Sequence, residues 1–355
     1  MDHQNQYDTG PENQSHSSSQ QSVQTPIYTQ PIMVETPRKR RSFWGTFSGI
    51  VRGLSILVHV FILLFFFGII GLFASGFQKG LWTEKVIREG SHERKIVAID
   101  LKGIIEDELA SEFSQKIELL ESDDTVCGVI VRIDSPGGTV SASDRIYQRI
   151  DRFKRQSQIP VVALQQGIAA SGGYYASVAC DHIMAEPTTI TGSIGVILSY
   201  FVVEDLLQEK LGIEPVVLKA GERKDWPSMF ASPTEPQKAY VQERQIQPAY
   251  ERFVSVVIDG RSEVLSPEEV RKLADGSVYS ARQAQERKLV DSTGYLQEAI
   301  DQVERMAGVT NALVVEYREI FSFMDMLRSS TQKRIAWNTN LIYELGMPRL
   351  MYLWR

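Results

Sequence analysis

Cysteine is nearly absent from this chain. The 355 residues contain two, Cys127 and Cys180. Both lie in apolar surroundings, so buried free thiols are expected in place of a disulfide. The five histidines, His3, His16, His59, His92 and His182, are too scattered to join them as zinc ligands. No metal and no cofactor is expected. Positive charge is in short supply too. The net charge is −6, and without a basic face a nucleic-acid partner is excluded. No block of the chain repeats, so any catalytic unit occurs once.

What the chain does have is strongly segmented. Residues 1–45 are dominated by Gln, Ser, Asn, Thr and Pro, and close on the basic cluster Arg38, Lys39, Arg40 and Arg41. Such a composition buries too little apolar surface to offset ordering entropy, and predicts a disordered tail. The run "LSILVHVFILLFFFGIIGLF", Leu54 to Phe73, follows within a segment 46–78. About 20 apolar residues suffice to cross the hydrocarbon layer. Basic residues precede the run, with Arg52 closest, so the N-terminus is expected in the cytoplasm and the rest of the chain outside, on a single-pass protein of the cell membrane. The length and position favour an uncleaved signal anchor over a removed signal. Residues 79–94 read as a linker.

From residue 95 to 307 strand and helix patterns alternate. "KIVAID" (95–100), "VCGVIVRID" (126–134) and "IPVVALQ" (159–165) read as strands. "ASEFSQKIELLES" (110–122) and "TVSASDRIYQRIDRFKR" (139–155) read as amphipathic helices, the second with Ile146, Ile150 and Phe153 on one face. "HIMAEPTTITGSIGV" reads as a strand and turn, "FVVEDLLQEKLG" as a helix and "PVVLKA" (215–220) as another strand. A long helix is expected from Thr234 to about Val257, with shorter ones to Ala307. The order argues for an α/β fold with crossover connections. Residues 308–355 are expected to hold one strand, "ALVVEYR", and an apolar tail ending "PRLMYLWR". That tail, or an exposed apolar face of the long helix, would serve as an interface between copies. The tail would equally pack on its own domain.

Two glycine turns follow consecutive strands. In "IDSPGGTVSASD", Gly137 and Gly138 permit backbone geometry that a Cβ forbids, and their amides can face one concavity suited to an oxyanion. In "GIAASGGYYAS", small residues surround Ser171, and the Gly172 amide is a natural second donor. Alone, such a serine is more often a helix cap than a nucleophile. A nucleophilic serine needs a base. His182 lies in a strand-like run with no carboxylate arranged to orient it, and His92 precedes the first strand. A lysine is the other established solution, provided that it is desolvated and neutral. Lys224, in "AGERKDW", and Lys219, in "PVVLKA", are the candidates, and spacing does not choose between them.

"IDSPGG", "GIAASGGYYAS", "ITGSIGV", "AGERKDW" and "DGSVYSARQAQERKLVDSTG", in that order, resemble the signal peptide peptidase A family, over about residues 95–307. These are membrane-anchored serine peptidases of the Clp-protease/crotonase fold, a superhelix of ββα units. The chain resembles the short, single-repeat members, with a longer polar N-terminal tail. The resemblance implies Ser171 as nucleophile, Lys224 as general base, Ser193 as the hydroxyl that holds the lysine amine, and Gly138 or Gly137 with Gly172 as oxyanion donors. It implies no cofactor. It also implies homo-oligomers with enclosed sites, and apolar, extended peptide substrates such as remnants of cleaved signal peptides. The rival expectations are a membrane protease of the same fold acting on membrane proteins, a crotonase-type acyl-CoA enzyme, and an inactive scaffold.

Overall fold

The computed structural model describes residues 43–76, 82–319 and 349–354. The expected tail before residue 43 and the segments 77–81 and 320–348 lie outside the described residues. The described residues fall into two units, 43–76 and those from 82 onward.

The first unit carries a helix, α1 (Phe43–Gly76), built around the apolar stretch Phe47–Ile69. At 1.5 Å per residue those 23 residues rise about 35 Å, enough to cross a hydrocarbon layer of about 30 Å. Its side chains, among them Phe61, Leu64 and Phe67, are exposed. Within that stretch His59 directs its Nδ1 at the Ser55 carbonyl 2.7 Å away. One imidazole nitrogen is thus satisfied inside the helix.

The second unit is built on a mixed sheet. Its strands are β1 (Trp82–Arg88), β2 (Ser91–Lys102), β3 (Val126–Ser135), β5 (Val161–Ala170), β6 (His182–Ala185), β7 (Ile190–Gly192), β9 (Val278–Ser280), β10 (Ser292–Thr293) and β11 (Ala312–Glu319). The main order is β1-β11-β2-β3-β5-β6-β10, with β7 continuing along β5 and β9 beside β7. The pairs from β11 to β10 are parallel, and β1 closes one edge antiparallel to β11. A parallel sheet is covered on both faces, which is why its strands read as unbroken apolar runs. On one face α2 (Asp107–Glu121), α3 (Val140–Ser157) and α6 (Gln247–Gly260) bury Phe113, Ile117, Ile146, Ile150, Phe153 and Phe253. On the other, α9 (Leu296–Ala307) packs Ile300 and Val303 against Ile96, Ala98, Ile130 and Val162. The approach there is close: a Cβ at Gly128 would fall 2.1 Å from Val303 Cγ1.

A second, three-stranded sheet draws on segments that follow strands of the first. Its members are β4 (Gly137–Thr139), β8 (Ile197–Ser199) and β12 (Arg349–Leu353), with β12 in the middle and antiparallel to both. The C-terminal tail therefore packs on its own domain. The long helix runs as expected, through α5 (Glu235–Val241), a wider turn at Gln242–Ile246 and α6. Its apolar side faces inward, burying Val241, Phe253, Val254 and Val257, so it offers no free apolar face.

Charge is organised across the sheet. Arg132 on β3 bonds Glu316 on β11 at 2.7 Å, and Arg318 bonds the same carboxylate at 2.6 Å. Burial alone would raise the Glu316 carboxyl, but the hydrogen bonds and charges of the two guanidinium groups outweigh it and hold it at about 2.

One element departs from expectation. "PVVLKA" (215–220) forms no strand. Residues 212–219 have no regular structure. Val216, Val217 and Leu218 are exposed, Leu218 at 93%. β-branched residues favour a strand only where a neighbour supplies the other half of the ladder, and no described strand pairs with this segment. "FVVEDLLQEKLG" is helical over 204–211 only, and leaves Phe201, Val202, Leu206 and Leu211 exposed.

Candidate active site

Ser171 is delivered by the strand that ends at Ala170 and the short helix α4 (Gly172–Ser177) that begins one residue later. Its backbone is held at both ends. Its N–H donates to the Gly192 carbonyl at 2.8 Å, and its carbonyl accepts from Tyr175 N at 2.8 Å. The turn forces φ to +53°, a conformation that L residues rarely adopt. Strain of that kind clusters at working sites. Ser171 stands at the N-cap position of α4, yet its side chain makes no capping bond. It is 1% exposed.

The glycine turn lies against it. Gly137, at φ +100°, is packed so tightly that a Cβ would fall 1.9 Å from the Tyr352 carbonyl oxygen and 2.7 Å from the Gly172 nitrogen. That carbonyl and the Gly172 amide therefore share one small space. The Gly137 N–H is occupied by Ser135 Oγ at 3.0 Å, whose own proton goes to the Gly103 carbonyl at 2.6 Å. Gly138 pairs with Tyr352 across the β4–β12 ladder. Its other side is closed, since a Cβ there would meet the Ile105 carbonyl oxygen at 1.9 Å.

The tail thus occupies the groove beside Ser171 as an added strand. Tyr352 is fully buried, its ring stacked on Tyr175 with centroids 5.0 Å apart and tilted against Phe253 at 4.6 Å. Its hydroxyl donates to the Ala249 carbonyl at 2.7 Å. Tyr175, four residues after Ser171, donates to Asp144 Oδ1 at 2.5 Å, and Arg252 holds the same oxygen at 2.9 Å. Burial raises the Tyr175 phenol, and the Asp144 bond adds to the shift. It stays a donor.

Ser193 follows β7 with φ +51° and is 8% exposed. It lines a cavity of about 640 Å³ together with Tyr250, Leu353 and Trp354. Among the described residues no hydrogen bond joins Lys224 to Ser171. It sits in an exposed turn, its N–H bonded to the Gly221 carbonyl at 3.2 Å. The segment leading to it is exposed at Val216, Val217 and Leu218, and no described strand pairs with it. Lys219 is exposed as well, and its Nζ pairs with Asp225 at 2.6 Å.

His182 proves better furnished than its sequence surroundings indicate. Its Nε2 lies 2.8 Å from Ser292 Oγ, and its Nδ1 3.9 Å from Asp291. Desolvation lowers the imidazole despite that carboxylate. Asp291 is itself taken by Arg261, at 2.6 Å, and by the Ile183 amide, at 2.7 Å. Ser292 pairs with Met184 across β10–β6, away from the Ser171 turn. Cys127 and Cys180 are free thiols, and burial raises both.

Comparison with known proteins gives the family. Residues 153–310 match Peptidase family S49, and residues 84–189 match Clp protease. "Putative signal peptide peptidase SppA" of Enterococcus faecium is 36% identical over 247 residues, which cover 66% of this chain and 70% of that one. "Putative protease slr0021" of Synechocystis sp. is 38% identical over 219 residues, 62% of this chain and 76% of that one. Protease 4 of Haemophilus influenzae is 30% identical over 268 residues, 72% of this chain and 42% of that longer one. A strand-end serine between two glycine turns, on a Clp protease-like sheet, is thus accompanied by relatedness across most of the catalytic unit, and the chain belongs to peptidase family S49, as a serine peptidase.

Proposed function

We propose that this protein is a membrane-anchored serine endopeptidase that degrades apolar, extended peptides, remnants of cleaved signal peptides among them, through a Ser171–Lys224 dyad. The observation that carries the reading is the strand seated beside Ser171. A peptide runs antiparallel to Gly137–Thr139, with a carbonyl against the Gly172 amide, in the manner of substrate recognition by strand addition. The name of the Enterococcus faecium relative supports the substrate class.

In the mechanism, neutral Lys224 Nζ takes the Ser171 proton as Oγ attacks the peptide carbonyl carbon. The Gly172 and Gly138 amides stabilise the oxyanion. Gly138 is preferred over Gly137, whose N–H already serves Ser135. Loss of one such donor costs about 3 kcal/mol in the transition state. The tetrahedral species expels the amine, which receives the proton from Lys224. Lys224 Nζ, neutral again, then takes a proton from water as the water attacks and hydrolyses the acyl-enzyme. Ser193 Oγ orients Nζ.

The dyad closes when the segment 212–224 is covered. Val216, Val217 and Leu218 supply an unpaired β-prone edge, and a second copy of the chain is the proposed cover. That step would dehydrate Lys224 and bring it to a serine. Helix α1 tethers the catalytic unit, with the N-terminus on the cytoplasmic side as the basic residues preceding it dictate. The test is incubation of the detergent-solubilised protein with synthetic signal peptides, the cuts read by mass spectrometry. Cleavage by the wild type and none by Ser171→Ala is expected. Equal cleavage by both would sink the reading.

A further inference from the structure

The strand in the groove has a chemical polarity. It reads Arg349, Leu350, Met351, Tyr352, Leu353, one cation followed by apolar residues. Tyr352 is the residue whose carbonyl lies against Gly137 beside the Gly172 amide. Three residues upstream, Arg349 pairs with Ser199 in the β12–β8 ladder, and its Nη1 lies 3.1 Å from Glu106 Oε1. Glu106, Asp107 and Glu108 line a cavity of about 700 Å³ with Arg349 at its edge.

The ordinary explanation for carboxylates here is that they complement the first turn of α2. It suffices for Asp107, which also pairs with Arg145. It does not account for Glu106. Glu106 occupies the N-cap position, where a side chain ordinarily accepts from the first-turn amides, and it makes no such bond. Its carboxylate turns to the groove and meets the guanidinium there. Glu108 has no ion pair among the described residues, so this end of the groove holds more negative charge than Arg349 neutralises.

We propose that Glu106, with Glu108 beside it, is a specificity site for a cationic side chain three positions before the residue whose carbonyl Ser171 attacks. This rests on the endopeptidase reading of Ser171 and narrows its substrates. The preferred peptide carries Lys or Arg immediately before an apolar run. Signal peptides have that junction between their charged and apolar regions. The peptide takes the place of the tail strand: its apolar part enters the aromatic pocket that Tyr352 vacates, and its cation takes over from Arg349 at the acidic end.

The experiment uses the full-length protein in detergent and three fluorogenic peptides. They are identical except for Arg, norleucine or Glu at the third position before the residue cleaved, and mass spectrometry locates each cut. For the wild type, kcat/KM should fall in the order Arg, norleucine, Glu, with Arg about five-fold above norleucine, the scale of one partly exposed ion pair. Glu106→Gln should bring Arg and norleucine level, and Glu106→Lys should place Glu first. Since Glu106 is well exposed and caps nothing, both variants are expected to fold. Cleavage of all three peptides at equal kcat/KM, or an order unchanged in Glu106→Lys, overturns the specificity site and leaves the endopeptidase reading standing. Cleavage of none by the wild type overturns both.

Discussion

The turn that carries Ser171 and the segment that carries Lys224 are opposites. Around Ser171 nearly every atom is spoken for. Its backbone is bonded fore and aft, two glycines pack where no Cβ fits, and an aromatic stack of Tyr175, Phe253 and Tyr352 lies beneath. From Phe201 to Phe230 the chain is largely exposed and, past a short helix at 204–211, irregular; its Val216, Val217 and Leu218 face solvent, and its ion pair Lys219–Asp225 lies at the surface. The first region is organised by what its own chain packs against it. The second is a sequence of strand-forming residues still without a ladder. A nucleophile can be built locally, because a turn and a helix start suffice. A lysine base needs dehydration, and dehydration needs a covering surface.

The largest effect should come from the packed region. Ser171→Ala removes the nucleophile while leaving the turn's hydrogen bonds, which are all main-chain, in place. Hydrolysis should drop by at least about 10⁴-fold with the melting temperature unchanged. A variant retaining a tenth of wild-type turnover would show that the packed turn is structural and would dissolve the contrast between the two regions.

Next is the aromatic stack. Tyr352→Ala deletes a fully buried ring and leaves the Ala249 carbonyl without its donor. A loss of about 3–5 kcal/mol is expected, read by chemical denaturation of the catalytic unit. With the ring gone, β12 should leave β4, and tryptic cleavage after Arg349 should become rapid. A loss under about 1 kcal/mol would mean that the tail lies on the groove without organising it.

A smaller effect tests the charge buried across the sheet. The Glu316 carboxyl is held at about 2, below its ordinary value of 4.5. A depressed carboxyl contributes stability that is present above 4.5 and is lost as pH falls from 4.5 toward 2. Glu316→Gln should therefore cost roughly 1–3 kcal/mol at neutral pH and flatten the acid limb of the stability curve. An acid limb identical to the wild type's would assign acid sensitivity elsewhere. The exposed pair Lys219–Asp225 should contribute little by comparison, as surface pairs do.

The parts of this molecule that the sequence makes readable are those whose cause is local. The runs at 126–134 and 159–165 become parallel strands because burial on both faces leaves no polar alternation. Both glycine turns stand where their residues demand them. The place of the tail is not legible in the sequence, because Tyr352 meets Gly138 across more than two hundred residues and nothing in "PRLMYLWR" names its partner. His182 gained Asp291 and Ser292 for the same reason, a contact between β6 and the segment after α8 (Ala281–Glu286). "PVVLKA" reads in the other direction: its residues state a preference for a ladder, and no described strand pairs with them.

That segment provides the smallest expected change in stability and the finest test of the contrast. Leu218 is almost wholly exposed, so Leu218→Asp removes no packing from the isolated chain. The melting temperature of the dilute, detergent-solubilised protein should shift by no more than the roughly 0.5 kcal/mol typical of surface substitutions. If a second copy covers residues 212–224 to dehydrate Lys224, the same aspartate would place a charge in that interface, and an unpaired buried charge is strongly unfavourable. Assembly measured by light scattering and peptide hydrolysis should then fall together, while folding is untouched. Lys224→Ala should lose hydrolysis and keep assembly. An active, unassembled Leu218→Asp protein would show that one chain closes its own dyad, and that the exposed strand-forming run owes its composition to something other than catalysis.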